Sequence, residues 1–196
     1  MSTIFAPSSG LPPAAIAVIR ISGPQAFAAA SALAGDLPVP REARLRTLRD
    51  PASGDHLDSA LVLVFPAPNT ATGEDLVELH VHGGRAVVAA VEAALAGQPG
   101  LRRAEPGEFT RRALTNGRID LAEAEGLGDL LSAESELQRR EALNALAEEG
   151  FIEADLDQIG LLTDIPDEEP HPDRPMRAAL RPVRPSAGRF GRGRPR

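Results

Sequence analysis

The chain has 196 residues, of which 42% are hydrophobic and 3% aromatic, and it carries a formal net charge of −7 at pH 7. This size suits one domain with an appendage or two small domains, and the absence of cysteine excludes disulfides, cysteine nucleophiles and Cys-ligated metal sites. No apolar run approaches the roughly 20 residues of a membrane-spanning helix and the N-terminus lacks a signal-peptide pattern, so we expect a cytoplasmic protein that does not enter a membrane.

Short strands and helices alternate along residues 1–119. The β-branched apolar run at 15–22 predicts a buried strand. A helix follows, which Pro24 begins and Gly35 ends. Further strands are predicted at 43–48, 59–66, 74–82 and 101–105, and further helices at 85–96 and 106–117. This order, β-α-β-β-β-α-β-α, predicts an α+β fold in which helices pack on a mixed sheet.

From residue 120 the pattern becomes that of one long helix extending to about residue 149. Asp120 and Glu123 have the spacing of a capping box, which marks the start of the helix. An apolar stripe runs along it through Leu127, Leu130, Leu131, Leu137 and Leu143. Such a stripe must pack on another helix or on another chain.

The C-terminal residues differ in composition from the rest of the chain. Residues 171–196 hold eight Arg and one Asp among many Pro and Gly, which leaves a net charge of −14 on the preceding 170 residues. A segment with so little to bury is predicted to be disordered. It is either an arginine-rich arm for nucleic acid or, the interpretation we favour, the out-of-frame product of a GC-rich gene. We therefore divide the chain into a sheet domain at 1–119, a truncated helical arm at 120–170 and a disordered basic tail at 171–196.

The sequence GEDLVELHVHGG at residues 73–84 places several acidic side chains and two histidines on one predicted strand. Alternation along a strand places Glu78, His80 and His82 on one face. These three side chains could ligate zinc, but the chain has few further ligands to complete such a site. The simpler interpretation is that at least one histidine is a hydrogen-bonded framework residue.

Glu78 lies between apolar neighbours near the predicted centre of the sheet. A buried carboxylate requires a charged or hydrogen-bonding partner. Arg20, at the end of the first predicted strand, could form a structural salt bridge with it. Alternatively, Glu78 accepts hydrogen bonds from a ligand that offers adjacent N–H donors, such as a pterin or a guanine.

Four stretches of the sequence resemble the N-terminal region of the tRNA-modification GTPase MnmE (TrmE) family: AIAVIRISGP, FPAPNTATGEDLVELHVHGG, AEPGEFTRRALTNGRIDLAEAEGL and SAESELQRREAL. The resemblance covers about residues 3–147. The resemblance implies a fold similar to the folate-binding aminomethyltransferase of glycine cleavage. It implies a tetrahydrofolate derivative as cofactor, 5-formyl- or 5,10-methylene-tetrahydrofolate, and association as a homodimer or with a full-length subunit. In that family a GTPase domain interrupts the helical domain, and an FAD-containing partner, MnmG, joins in modifying the wobble uridine (U34) of tRNA.

The folate contacts of the family fall on Arg20, Glu78 and Arg118 of this sequence, and the resemblance implies no catalytic or metal-binding residue. The loop at 8–15 departs from the Gly/Arg pattern of the family, and the helical arm is shorter. No phosphate-loop motif follows, so no GTP or potassium site is expected in this chain. A truncated or frame-shifted gene product accounts for these departures.

The resulting prediction is a folate-binding and dimerisation domain without its GTPase domain, which is not an enzyme by itself. Two alternatives remain open. One is a non-catalytic interaction fragment that pairs through the sheet and the leucine stripe. The other is a stand-alone folate-dependent one-carbon transferase, for which Asp75 and His82 are the candidate acid or base.

Overall fold

The structure is a computed structural model, and it describes residues 2–10 and 12–148. The predicted basic tail at 171–196 and the end of the predicted helical arm lie outside the described residues. Every helix within the described ranges is too short or too polar to span a bilayer.

The described residues form a six-stranded sheet in the order β3-β4-β5-β2-β1-β6. The strands are β1 (Thr3–Pro7), β2 (Ile16–Ser22), β3 (Arg44–Arg49), β4 (His56–Phe65), β5 (Leu76–His82) and β6 (Leu101–Arg103). The helices are α1 (Ala26–Ala34), α2 (Arg85–Ala96), α3 (Glu108–Thr115), α4 (Leu121–Ser132) and α5 (Glu136–Glu148). Because β6 runs parallel to β1 while the other neighbouring strands are antiparallel, the sheet is mixed. The predicted α+β class is confirmed.

Strand β1 is an element that the sequence patterns did not predict. It has only five residues, ends in Pro7 and is buried at its first three positions, so no alternation of polar and apolar residues distinguishes it. It lies between β2 and β6, and the side chains of Ile4 and Phe5 are fully buried.

The core lies between one face of the sheet and helices α1 and α2. The side chains of Val77, Leu79 and Val81 on β5 point into this core. On β2 the core side chains are Ala17, Ile19 and Ile21. The alternation predicted for β5 is therefore confirmed. On the opposite face, Glu78, His80 and His82 of β5 are more exposed than these core residues, which leaves room there for a functional surface.

The prediction of a single helix at 120–149 is wrong, because α4 ends at Ser132 and α5 begins at Glu136. Ala133 has an extended backbone (ψ 121°). The amide of Ser135 then donates to Gln138 Oε1 at 3.0 Å, and the amide of Gln138 donates to Ser135 Oγ at 3.3 Å. This reciprocal pair is a second capping box and starts a new helix. The capping box predicted between Asp120 and Glu123 is confirmed.

Helices α4 and α5 form a hairpin that uses only part of the leucine stripe. Leu127, Leu130 and Leu143 are partly buried, whereas the side chains of Leu131 and Leu137 are 80% and 67% exposed. The hairpin closes tightly at Gly126, where an added Cβ would lie 3.1 Å from Leu146 Cδ2. A glycine that weakens α4 as an isolated helix therefore permits its contact with α5.

Candidate functional site

A cavity of about 240 Å³ opens between the loop at 66–75, strand β2 and helix α3. Arg20 and Arg118 both line it, together with Thr72 from the loop and Phe109 from α3. Leu127 of α4 contributes to the wall, so the helical hairpin borders the site. We call this space the arginine cavity.

Arg20 and Glu78 are directly opposite each other on β2 and β5, as the antiparallel register requires. Arg20 Nε and Nη2 both donate to Glu78 Oε1, at 3.1 and 2.8 Å. His80 Nε2 lies 3.3 Å from the other carboxylate oxygen, Oε2. The salt bridge suggested by the residue types is therefore present.

The Glu78 carboxylate is held in its charged form. Its side chain is only 18% exposed, and this burial by itself raises the pKa of the Glu78 carboxyl. The hydrogen bond with His80 and the charge and hydrogen bonds of Arg20 outweigh burial, so that the pKa lies below its ordinary value. Glu78 is thus an acceptor with no proton of its own at neutral pH.

Arg118 reaches the same cavity from the segment that follows α3. Its backbone N–H donates to Ala113 O at 2.8 Å, which fixes the turn after the helix. Its Nε atom is buried and has no hydrogen-bond partner among the residues that the structure describes. Gly73, with φ of +75°, is needed beneath it, because an added Cβ would lie 3.1 Å from Arg118 Cγ.

The three predicted site residues are therefore only partly brought together. Arg20 is central: it pairs with Glu78 and it faces the cavity that Arg118 also lines. Glu78 itself is not among the residues that line the arginine cavity. The arrangement offers guanidinium donors around the cavity and a carboxylate beside it, which suits a ligand with both acceptor and donor groups.

A network of charges around the buried Glu108 joins two walls of the cavity, and the sequence patterns did not indicate it. Arg112 of α3 donates to Glu74 Oε2 of the loop at 2.9 Å and to Glu108 Oε1 at 3.1 Å. Arg102 donates to both oxygens of Glu108, at 2.8 and 2.5 Å. These hydrogen bonds, led by those from Arg102, lower the pKa of Glu108 to about 2. The helical spacing of Glu108 and Arg112 was the available sequence signal.

The histidines of β5 have separate partners. While His80 lies beside Glu78, His82 Nδ1 is 2.7 Å from Asp58 Oδ1, and the His82 amide donates to Asp58 Oδ2 at 2.8 Å. Within residues 2–10 and 12–148, no three His, Asp or Glu side chains are placed to hold a metal ion. Asp75, the other candidate acid or base, accepts a hydrogen bond from the Ala67 amide at 2.9 Å.

Comparison with known proteins gives a consistent result. The family model described as "GTP-binding protein TrmE N-terminus" matches residues 3–118. The chain is 70% identical over 156 residues to a protein of Novosphingobium aromaticivorans, covering 80% of this chain and 35% of that protein. It is 69% identical over 140 residues to a protein of Erythrobacter litoralis, covering 71% and 33%. It is 58% identical over 144 residues to a protein of Rhodopseudomonas palustris, covering 74% and 32%. Each relative is named tRNA modification GTPase MnmE, and the chain spans about a third of its length.

Proposed function

The chain belongs to the family of the TrmE N-terminus, and on that premise we propose that it is a folate-binding and dimerisation module of the tRNA-modifying machinery. Its ligand is a tetrahydrofolate derivative, either the 5-formyl or the 5,10-methylene form. The observation that carries the proposal is the arginine cavity with the ionised Glu78 held beside it by Arg20.

The polar groups of the site complement the two ends of a folate. A pterin ring presents adjacent N–H donors, and the Glu78 carboxylate has lone pairs left beyond those used by Arg20 and His80. The glutamate tail carries carboxylates, which a guanidinium binds well. Arg118 supports this assignment because its buried Nε lacks a partner among the described residues, and an anionic ligand would satisfy it.

Dimerisation is supported by the face of the sheet that helices α1 and α2 leave uncovered. The register aligns Leu45, Leu61, His80 and Val18 in one row across four strands, and paired residues point to the same side. The side chains of Leu45 and Leu61 are 64% and 43% exposed, and Ile16 nearby is 61% exposed. A second copy of the chain would remove this apolar surface from water.

In the modification of tRNA, the module holds the folate that supplies the one-carbon unit. The rest of the assembly, which includes an FAD-containing partner, then modifies the wobble uridine. The names of the relatives, tRNA modification GTPase MnmE, support the link to tRNA modification. The folate, the wobble uridine and the FAD-containing partner follow from the resemblance to the MnmE (TrmE) family.

Calorimetric titration of the full chain with 5-formyltetrahydrofolate tests ligand binding. The wild type is expected to bind, and Glu78→Gln to bind at least tenfold more weakly, since a charge-assisted acceptor contributes about 1.5–3 kcal/mol. Glu42→Gln is the matched control, because Glu42 is an exposed partner of Arg44 on the surface. The absence of binding heat with the wild type, or equal affinity for Glu78→Gln, would contradict the proposal.

The oligomeric state tests dimerisation separately. Sedimentation of Leu61→Ser should show a weaker dimer than the wild type. Leu131→Ser is the comparison, because Leu131 is 80% exposed but lies on α4, away from the sheet. If only Leu131→Ser weakened association, the helical hairpin rather than the sheet would be the interface.

A further inference from the structure

We propose that Phe109 is a positioning residue, whose aromatic face holds the Arg20 guanidinium in the plane required for ligand binding. The proposal rests on the folate site described above, and it adds a residue that the sequence patterns did not single out. The Cζ atom of Arg20 lies 5.8 Å from the centroid of the Phe109 ring. This is within the range of a cation–π interaction.

The hydrogen bonds to Glu78 alone do not fix the orientation of the Arg20 guanidinium plane. In the most rigid arginine–carboxylate pairs, two N–H groups take two different oxygens, which fixes both planes. Here Nε and Nη2 both donate to the single atom Oε1. His80 Nε2 lies beside the other oxygen. A guanidinium bonded to one oxygen can turn about that oxygen, so another contact must select its orientation.

Phe109 is well placed to make that selection. It is the second residue of α3, directly after Glu108, which is 3% exposed and bonded by Arg102 and Arg112. This anchoring fixes the start of the helix and with it the position of the ring. Because Phe109 and Arg20 both line the arginine cavity, the ring orients the N–H donors that Glu78 does not use. The attraction requires the negative face of an aromatic ring, which an aliphatic side chain of similar size lacks.

The test compares Phe109→Tyr, which keeps an aromatic face, with Phe109→Leu, which keeps only apolar bulk. Phe27→Leu is the matched control, since Phe27 packs against the core on α1. Two quantities are measured in the full chain. The first is the rate of rotation about the Nε–Cζ bond of Arg20 without ligand, by nitrogen-15 NMR, with the signal assigned by its loss in Arg20→Lys. The second is the affinity for 5-formyltetrahydrofolate by calorimetry.

We expect Phe109→Leu to speed the rotation and to weaken affinity about three- to tenfold, while Phe109→Tyr and Phe27→Leu match the wild type in both. Unchanged rotation in Phe109→Leu, or an equal loss in Phe109→Tyr, would overturn the role of Phe109. The rotation measurement needs no folate. If the wild type failed to bind folate, the proposed function would fail while the rotation rates still decided whether Phe109 positions Arg20.

Discussion

Replacing Glu108 by glutamine should destabilise the protein in a pH-dependent way. Glu108 is 3% exposed and accepts hydrogen bonds from Arg102, Arg112 and the amide of Glu105. Its pKa is lowered from 4.5 to about 2, chiefly by the hydrogen bonds from Arg102. That difference corresponds to about 3 kcal/mol of stability at neutral pH. Because Arg102 is 43% exposed and can turn to water, we expect Glu108→Gln to cost about 2–3 kcal/mol.

Urea denaturation followed by far-ultraviolet circular dichroism measures this effect. Since the folded-state pKa lies below the ordinary value, the stabilisation is complete above pH of about 4.5 and is lost as the pH falls toward about 2. The difference in unfolding free energy between the wild type and Glu108→Gln should shrink over that window. Glu136→Gln is the control, because Glu136 also has a pKa lowered to about 2 but is exposed to solvent. Equal urea midpoints for the two variants at neutral pH, or a difference from the wild type that did not shrink in acid, would contradict a stabilising role for the ionised Glu108.

Two pairs of glycine variants test close packing. Gly126→Ala and Gly128→Ala gain the same helix propensity, about 1 kcal/mol, but only at Gly126 would the added Cβ meet a leucine side chain, at 3.1 Å. Gly126→Ala should therefore be less stable than Gly128→Ala by about 1–3 kcal/mol, and equal melting temperatures of the two variants would contradict the close packing. Gly73→Ala should weaken folate binding by displacing the Arg118 side chain, whereas Gly54→Ala, with a similar φ but nothing nearby, should lower stability and leave calorimetric affinity unchanged. Equal affinities for these last two variants would remove Gly73 from the site.

Secondary structure was predictable where one strand face is buried and the other is not. Strand β5 shows this, because Val77, Leu79 and Val81 alternate with polar residues and give a period of two. Strand β1 could not be predicted in this way, because its burial does not alternate and its sequence is short. The end of α4 was missed for a different reason. Ser135 and Gln138 have the spacing of a capping box, but the apolar periodicity continues through them, and the break is seen in the extended backbone of Ala133 and in the reciprocal hydrogen bonds of the cap.

The candidate site was predictable to the extent that residue chemistry determines it. A carboxylate between apolar neighbours needs a cationic partner, and Glu78 forms its salt bridge with Arg20 on the adjacent strand. Arg118 is far from this pair in the sequence, so residue chemistry alone could not predict that it lines the same cavity as Arg20. That cavity depends on how the loop at 66–75 and α3 approach each other. Phe109 was missed because an aromatic residue at the start of a helix carries no sequence signal for the guanidinium above its ring.

The most direct test of the central claim is a crystal structure of the full chain with 5-formyltetrahydrofolate bound. We expect density for the ligand in the arginine cavity, with the pterin donors toward Glu78 and a tail carboxylate toward Arg118. Density elsewhere would contradict it, for example in the separate cavity of about 270 Å³ lined by Ser2, Arg102 and Arg111.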